Sequence, residues 1–214
     1  MFEVYKELFD PEKVGGRIIM DIYYPRNFYF GFIGVFFGVL MTKLKGTEMS
    51  MFELSIISSV GLVSTLLMPF LGRLKLKTLL DLSIWIEIYM LGLIFLILND
   101  YISNLMFIYL SAFQTFMITL VWCNITTKTK VFIQQKCLSK TADPREKGNL
   151  VLGSIGAGIG ILICSTFTLV TDDLKAFMIL YGFVTIGLIV VLLITNIKII
   201  EYCYNDNKYP VINK

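Results

Sequence analysis

The sequence predicts an all-α, polytopic membrane protein with six transmembrane helices. Three observations predict it. Hydrophobic residues make up 56% of the 214 and charged residues only 16%, where a soluble domain carries ~25% charged. The charges cluster in a few short stretches, and the segments between them are nearly charge-free. Six of those segments approach the ~20 apolar residues that a helix needs to cross a bilayer.

The first segment, Asn27–Thr42, is slightly short and borrows Tyr23 and Tyr24 as interface residues. The second is Phe52–Leu71, the third Thr78–Leu98 and the fourth Tyr101–Thr126, the last long enough to project beyond the lipid. The fifth is Asn149–Leu169 and the sixth Ala176–Ile197. A very short turn at Asn99-Asp100 makes the third and fourth segments antiparallel neighbours. The longest connection, from Thr127 to Gly148, carries a Val131-Phe132-Ile133 patch among lysines. That composition suits the anionic face of a membrane and an ordinary solvated loop about equally.

Basic loops stay cytoplasmic. With the N-terminus inside, Lys6, Lys13, Arg17 and Arg26 are inside, as are Arg73, Lys75 and Lys77 after the second segment. So are the six basic residues between Lys128 and Lys147, and Lys198, Lys208 and Lys214 in the tail. Only Lys43, Lys45 and Lys175 remain outside. One missed crossing would invert every later loop, so the bias supports six crossings with both termini cytoplasmic. Residues 1–26 then form a cytoplasmic amphipathic segment. Phe2, Tyr5 and Phe9 share a helical face, and Pro11 and Gly15-Gly16 interrupt it. Residues 27–200 form the bundle and 201–214 a polar cytoplasmic tail. No cleaved signal peptide is expected at the N-terminus.

Polar groups inside a span are the strongest functional pointers, since each costs energy without a partner. Glu87, in the middle of the third segment, is the clearest. It reads either as a proton- or cation-coupling carboxyl or as a protonated acid bonded to a neighbouring helix. Asp81 lies one or two turns nearer the basic loop. No Lys or Arg falls in the middle of a segment, so Glu87 has no intramembrane cation within the chain. In the fourth segment Ser111, Thr115, Ile118 and Trp122 share a face, with Gln114 beside it and Asn124 beyond. This face suits a water-lined cavity or helix–helix hydrogen bonding.

Small residues form stripes at Gly31, Gly34 and Gly38, at Ser58, Gly61 and Thr65, and at Gly153, Gly156 and Gly160. Such stripes let backbones approach closely in lipid. They serve packing within the bundle or an interface with a second one. The Gly153–Gly160 run lacks the Gly-Lys-Ser/Thr ending of a phosphate loop and lies in a span.

The chain has no histidine. That excludes a Ser-His-Asp triad and removes the commonest metal ligand. Cys123, Cys137, Cys164 and Cys203 show no zinc spacing. No enzyme activity, metal or cofactor is expected, and the basic loops need no nucleic acid to explain them.

The layout resembles one six-helix half of a major facilitator superfamily transporter. The basic loop Gly72-Arg73-Leu74-Lys75-Leu76-Lys77 stands where that family has its Gly-rich loop motif, although the motif's acidic residue is missing near Pro69. Asp143-Pro144-Arg145-Glu146-Lys147-Gly148 resembles the family's approach to a Gly-rich fifth helix. The resemblance implies a cavity lined by the first and fourth helices, hence by Tyr29, Gln114 and Asn124 rather than Glu87. It also implies a partner half, packed through the second and fifth helices. The expectation is therefore a half-size secondary transporter of a small solute, acting as a homo- or heterodimer in the bilayer with alternating access. The alternative is a non-transporting membrane subunit, receptor or scaffold that binds a partner protein.

Overall fold

A computed structural model describes residues 17–45, 71–136 and 144–205 of the chain. These residues form helices and turns, with no strand among them. A π-type turn over Ile19–Tyr23 leads into α1 (Tyr24–Lys45). Then follow α2 (Leu76–Leu98), α3 (Asn104–Lys136), α4 (Pro144–Val170) and α5 (Leu174–Tyr204). All but the last residue of the expected second span, with Gly61, lies outside the described residues, as do the N-terminal amphipathic stretch and most of the C-terminal tail.

Several boundaries differ from the sequence expectation: α3 begins at Asn104 rather than Tyr101, α4 begins at Pro144 rather than Asn149, inside the expected long loop, and α5 runs to Tyr204 rather than Ile197. Two further differences have a local reason. The first helix was expected to begin at Asn27, but the apolar helical stretch starts at Met20. Pro25 has no N–H for the Asp21 carbonyl and its ring crowds that oxygen, so the wider turn before it absorbs the misfit. The fourth helix does not stop at Thr126. As α3 it continues to Lys136 and, at 33 residues, is about 50 Å long. A hydrocarbon core is only ~30 Å thick.

The helix ends follow from sequence. Asp173 caps α5, its carboxylate accepting from the Lys175 amide at 2.9 Å. Ser103 accepts from the Met106 amide at 3.2 Å at the start of α3. At the end of α2 the Tyr101 and Asp100 amides reach back to the carbonyls of Leu96 and Ile97. Asp100 takes the left-handed conformation, φ 59°, that this reversal requires. The reversal falls at Asn99-Asp100 as expected, but the connection runs over residues 99–103 before α3 begins, and α2 and α3 pack side by side.

Two buried clusters mark the ends of the bundle. One joins Ile18, Ile22, Leu79, Leu80, Val121, Ile125, Ile199 and Tyr202. The other joins Phe36, Leu40, Met90, Leu93, Phe107, Phe177 and Leu188. They define an Arg26 end and an Asp100 end. α1, α2 and α4 run from the first to the second, and α3 and α5 return. Lys45 and Leu76 therefore stand at opposite ends.

The packing order is α4–α1–α5–α2–α3. The tightest contact is between α1 and α4, where backbone meets backbone. A Cβ on Gly31 would collide with the Gly153 carbonyl, and one on Gly156 with the Phe28 carbonyl. At Gly160 a Cβ would sit 3.0 Å from the Phe32 oxygen and 3.2 Å from Val35 Cβ. The fifth-segment glycine stripe is thus occupied within the chain. Gly34 and Gly38 are exposed, with open space around them.

All five helices are long and apolar enough to cross a membrane. Their outer faces carry large apolar groups, among them Trp85, Phe95, Phe113, Leu162 and Phe183. Water-soluble monomers do not expose apolar surface on this scale. The architecture is that of a multi-pass membrane protein. At the Asp100 end, Lys43 bonds Asp172 at 2.6 Å and Lys175 bonds Asp100 at 3.0 Å. The Lys43 ammonium holds the Asp172 carboxyl below its ordinary range. This pair favours the fold above the ordinary carboxylate value and ceases to do so as pH falls through the lowered one.

Gly156→Leu should force α1 and α4 apart and cost about 1–3 kcal/mol, read as an earlier thermal midpoint of the detergent-purified protein. Gly34→Ala should leave the midpoint unchanged. Equal losses at both positions would rule out the close α1–α4 contact.

Candidate functional site

Arg26 is the third residue of α1 and is fully buried. As the residue before Asn27 it reads in sequence as a flanking cation. The early start of the helix turns it inward instead, so the cation is buried at one end of the bundle, although it does not pair with Glu87. Its Nε donates to Thr195 Oγ1 at 2.5 Å, and its Nη2 donates to Asn196 Oδ1. Its guanidinium carbon lies over the Trp122 ring of α3, 4.6 Å from the ring centre.

Its partners are held in turn. The Thr195 hydroxyl donates to its own helix at Val191 O, 2.7 Å away, which frees its lone pair for Arg26. Asn196 Nδ2 donates to Leu80 O at 2.9 Å and approaches Ser83 Oγ at 3.5 Å. The Ser83 hydroxyl donates to the same Leu80 carbonyl at 2.7 Å. One side chain, Asn196, therefore ties α5 to both α1 and α2. Burying a cation costs several kcal/mol. Charge-assisted hydrogen bonds contribute about 1.5–3 kcal/mol each, and a desolvated cation–π contact about 2 kcal/mol.

One turn beyond Ser83, Glu87 is also buried and accepts from Gln114 Nε2 at 3.3 Å. Gln114 Oε1 lies 3.5 Å from the Thr115 hydroxyl. Tyr181 of α5 is buried and bears on Phe37 of α1, with ring centres 6.4 Å apart. The expected Glu87 and Gln114 thus meet across the α2–α3 contact. Ser111, on the same α3 face, is buried and bonds its own helix at Ile108 O.

The remaining expected residues disperse. Tyr29 is half-buried and its hydroxyl abuts Gly187 of α5. Asn124 is buried but donates to Leu120 O of its own helix at 3.0 Å. Gly72, Arg73, Lys75 and Lys77 are exposed where α2 begins, and Asp81 is exposed on α2. At the Arg26 end the Tyr202 hydroxyl donates to Asp21 at 2.7 Å, and Tyr23 lies 3.4 Å from the Thr129 hydroxyl. Among the described residues no group of His, Cys, Asp or Glu is placed to hold a metal ion.

Sequence reasoning missed Arg26, Ser83, Thr195 and Asn196. The legible signal was Thr195-Asn196, two hydrogen-bonding residues inside an otherwise apolar run, which require a polar partner on another helix.

Asn196→Leu removes the Nη2 acceptor and strands the Leu80 side of the layer. It should cost about 1.5–3 kcal/mol, the range for a hydrogen bond to a charged group, measured by thermal unfolding in detergent. Ser83→Ala loses only a 3.5 Å contact and a local bond and should cost less than a third of that.

No family model, no curated protein and no solved structure matches the chain.

Proposed function

We propose that the chain is a six-span, half-size secondary transporter of a small solute, with both termini cytoplasmic. It works beside a second six-helix half, as in the major facilitator architecture it resembles. The carrying observation is that α1, α2, α3 and α5 all turn polar side chains into the bundle rather than leaving it apolar. Arg26, Ser83, Glu87, Gln114, Thr195 and Asn196 are buried together along two adjoining turns. Polar groups at that depth mark solute and ion pathways in membrane proteins.

Connectivity supports the span count. Lys45 and Leu76 stand at opposite ends, which suits one further crossing between them. Charge supports the orientation, since among the described elements the basic residues gather at the Arg26 end. With the α4 glycines engaged on α1, the second half would meet the outer face of α4, where Val151, Ile155, Ile159 and Leu162 are exposed.

A second reading, a non-transporting subunit or scaffold, draws on that same face. Between α4 and α5 lies an open apolar groove of about 410 Å³, lined by Leu162, Ile163, Thr166, Phe167, Val170 and Leu180. A stoichiometric foreign subunit co-purifying with the chain would favour this reading.

Reconstituted in proteoliposomes, the purified chain should be dimeric and should support solute flux. A strictly monomeric protein with no flux would sink the transport reading. Glu87→Gln should remove the pH dependence of that flux if Glu87 carries the coupled proton. Unaltered coupling would leave Glu87 as a packing residue bonded to Gln114.

A further inference from the structure

The charge of Arg26 is solvated but not balanced. Its partners are a hydroxyl, an amide oxygen and an indole face, all uncharged. Among the described residues no carboxylate pairs with it. Glu87 accepts from Gln114, Asp21 from Tyr202, and Glu201 pairs with Lys198, while Asp81 is exposed. One terminal nitrogen, Nη1, is buried without a hydrogen-bond partner.

The geometry makes that unpaired donor directional. Nε and Nη2 are anchored on α5 by two hydrogen bonds, which fix the plane of the group, and the Trp122 ring lies against its carbon. Nη1 and its two N–H bonds are therefore aimed before any ligand arrives, which lowers the cost of ordering on binding. A water molecule would satisfy Nη1 but leave the positive charge unneutralised. An anion would do both, and arginine donors suit carboxylate and phosphate oxygens in particular.

We propose that Arg26 Nη1 is the binding point for one oxyanion, a carboxylate or phosphate group, admitted beside the half-buried ring of Trp122. The inference deepens the transport reading by naming its solute class, and rests on that reading only there. The same chemistry is presented by a free small anion and by a lipid headgroup.

Trp122 supplies the readout. The chain has two tryptophans, and Trp85 is 66% exposed. Trp85→Phe leaves Trp122 as the sole reporter. The full chain, lipid-free in non-ionic detergent, is titrated with sodium phosphate and sodium acetate against sodium chloride at matched ionic strength. The Trp122 emission should change saturably with phosphate or acetate and not with chloride. Arg26→Gln should lose the change. Because that variant can fail to fold, Asn196→Asp provides the second test. It places a carboxylate against Nη2, neutralises Arg26 from within at the loss of the bond to the Leu80 carbonyl, and should abolish the response in the folded protein. Repeating the titration in nanodiscs with and without anionic phospholipid separates the two sources. A response to the lipid alone assigns a headgroup, and a response to free phosphate or acetate assigns a solute.

A flat Trp122 signal with all anions and lipids overturns the site, as does an undiminished response in folded Asn196→Asp. Binding without flux in proteoliposomes refutes transport and leaves the site standing. Flux with a flat Trp122 signal does the reverse.

Discussion

A guanidinium removed from water must be solvated by something, and here the solvent is three other helices. The Arg26 contacts with Thr195, Asn196 and Trp122 fix where α5 and α3 stand relative to the start of α1. Asn196 then passes the constraint to α2 through the Leu80 carbonyl. Apolar faces in lipid have little preference for one register over another, because lipid tails are as apolar as leucine. Hydrogen bonds with a fixed donor and acceptor supply the missing preference. The local geometry around Pro25 belongs to the same arrangement, since the wider turn before it brings the chain into the bundle early enough to bury Arg26.

The α1–α4 contact works by a different principle. Its closest approaches are made by the absence of side chains. Gly31, Gly153 and Gly156 let two backbones touch, and the gain is dispersion and weak Cα–H···O contact over a short patch. The bundle thus combines a polar, register-setting layer across α1, α5, α2 and α3 with a dry contact that attaches α4. The outer face of α4 is left largely apolar, with Val151, Ile155, Ile159 and Leu162 exposed on it.

Helix type and span were legible because charge-free runs of about 20 residues admit few other structures. The short α2–α3 turn was legible from Asn99-Asp100, a pair that tolerates the left-handed conformation. Glu87 and Gln114 were legible as buried polar residues on neighbouring segments, and they meet. Arg26 was not, because a cation one residue outside an apolar run reads as a flank, and only the turn ahead of Pro25 shows otherwise. The glycine stripes were visible, but whether each faces inward depends on helix rotation. Gly31 is engaged, while Gly34 and Gly38 on the same helix are exposed. The length of α3 was underestimated because its polar end, from Thr127 to Lys136, has no apolar periodicity to mark it.

The glycine contact has a mechanical corollary. Carbonyls pressed against glycine backbones leave no slack, so sliding α1 along α4 by a fraction of a turn would drive larger side chains into the same space. The two helices must move as one piece. The α2–α3 hairpin, closed by its tight turn, forms a second piece. α5 lies between them, and its Thr195-Asn196 step is the joint. Any shift between the two pieces must therefore remake the Arg26 bonds to α5 or the Asn196 bond to the Leu80 carbonyl.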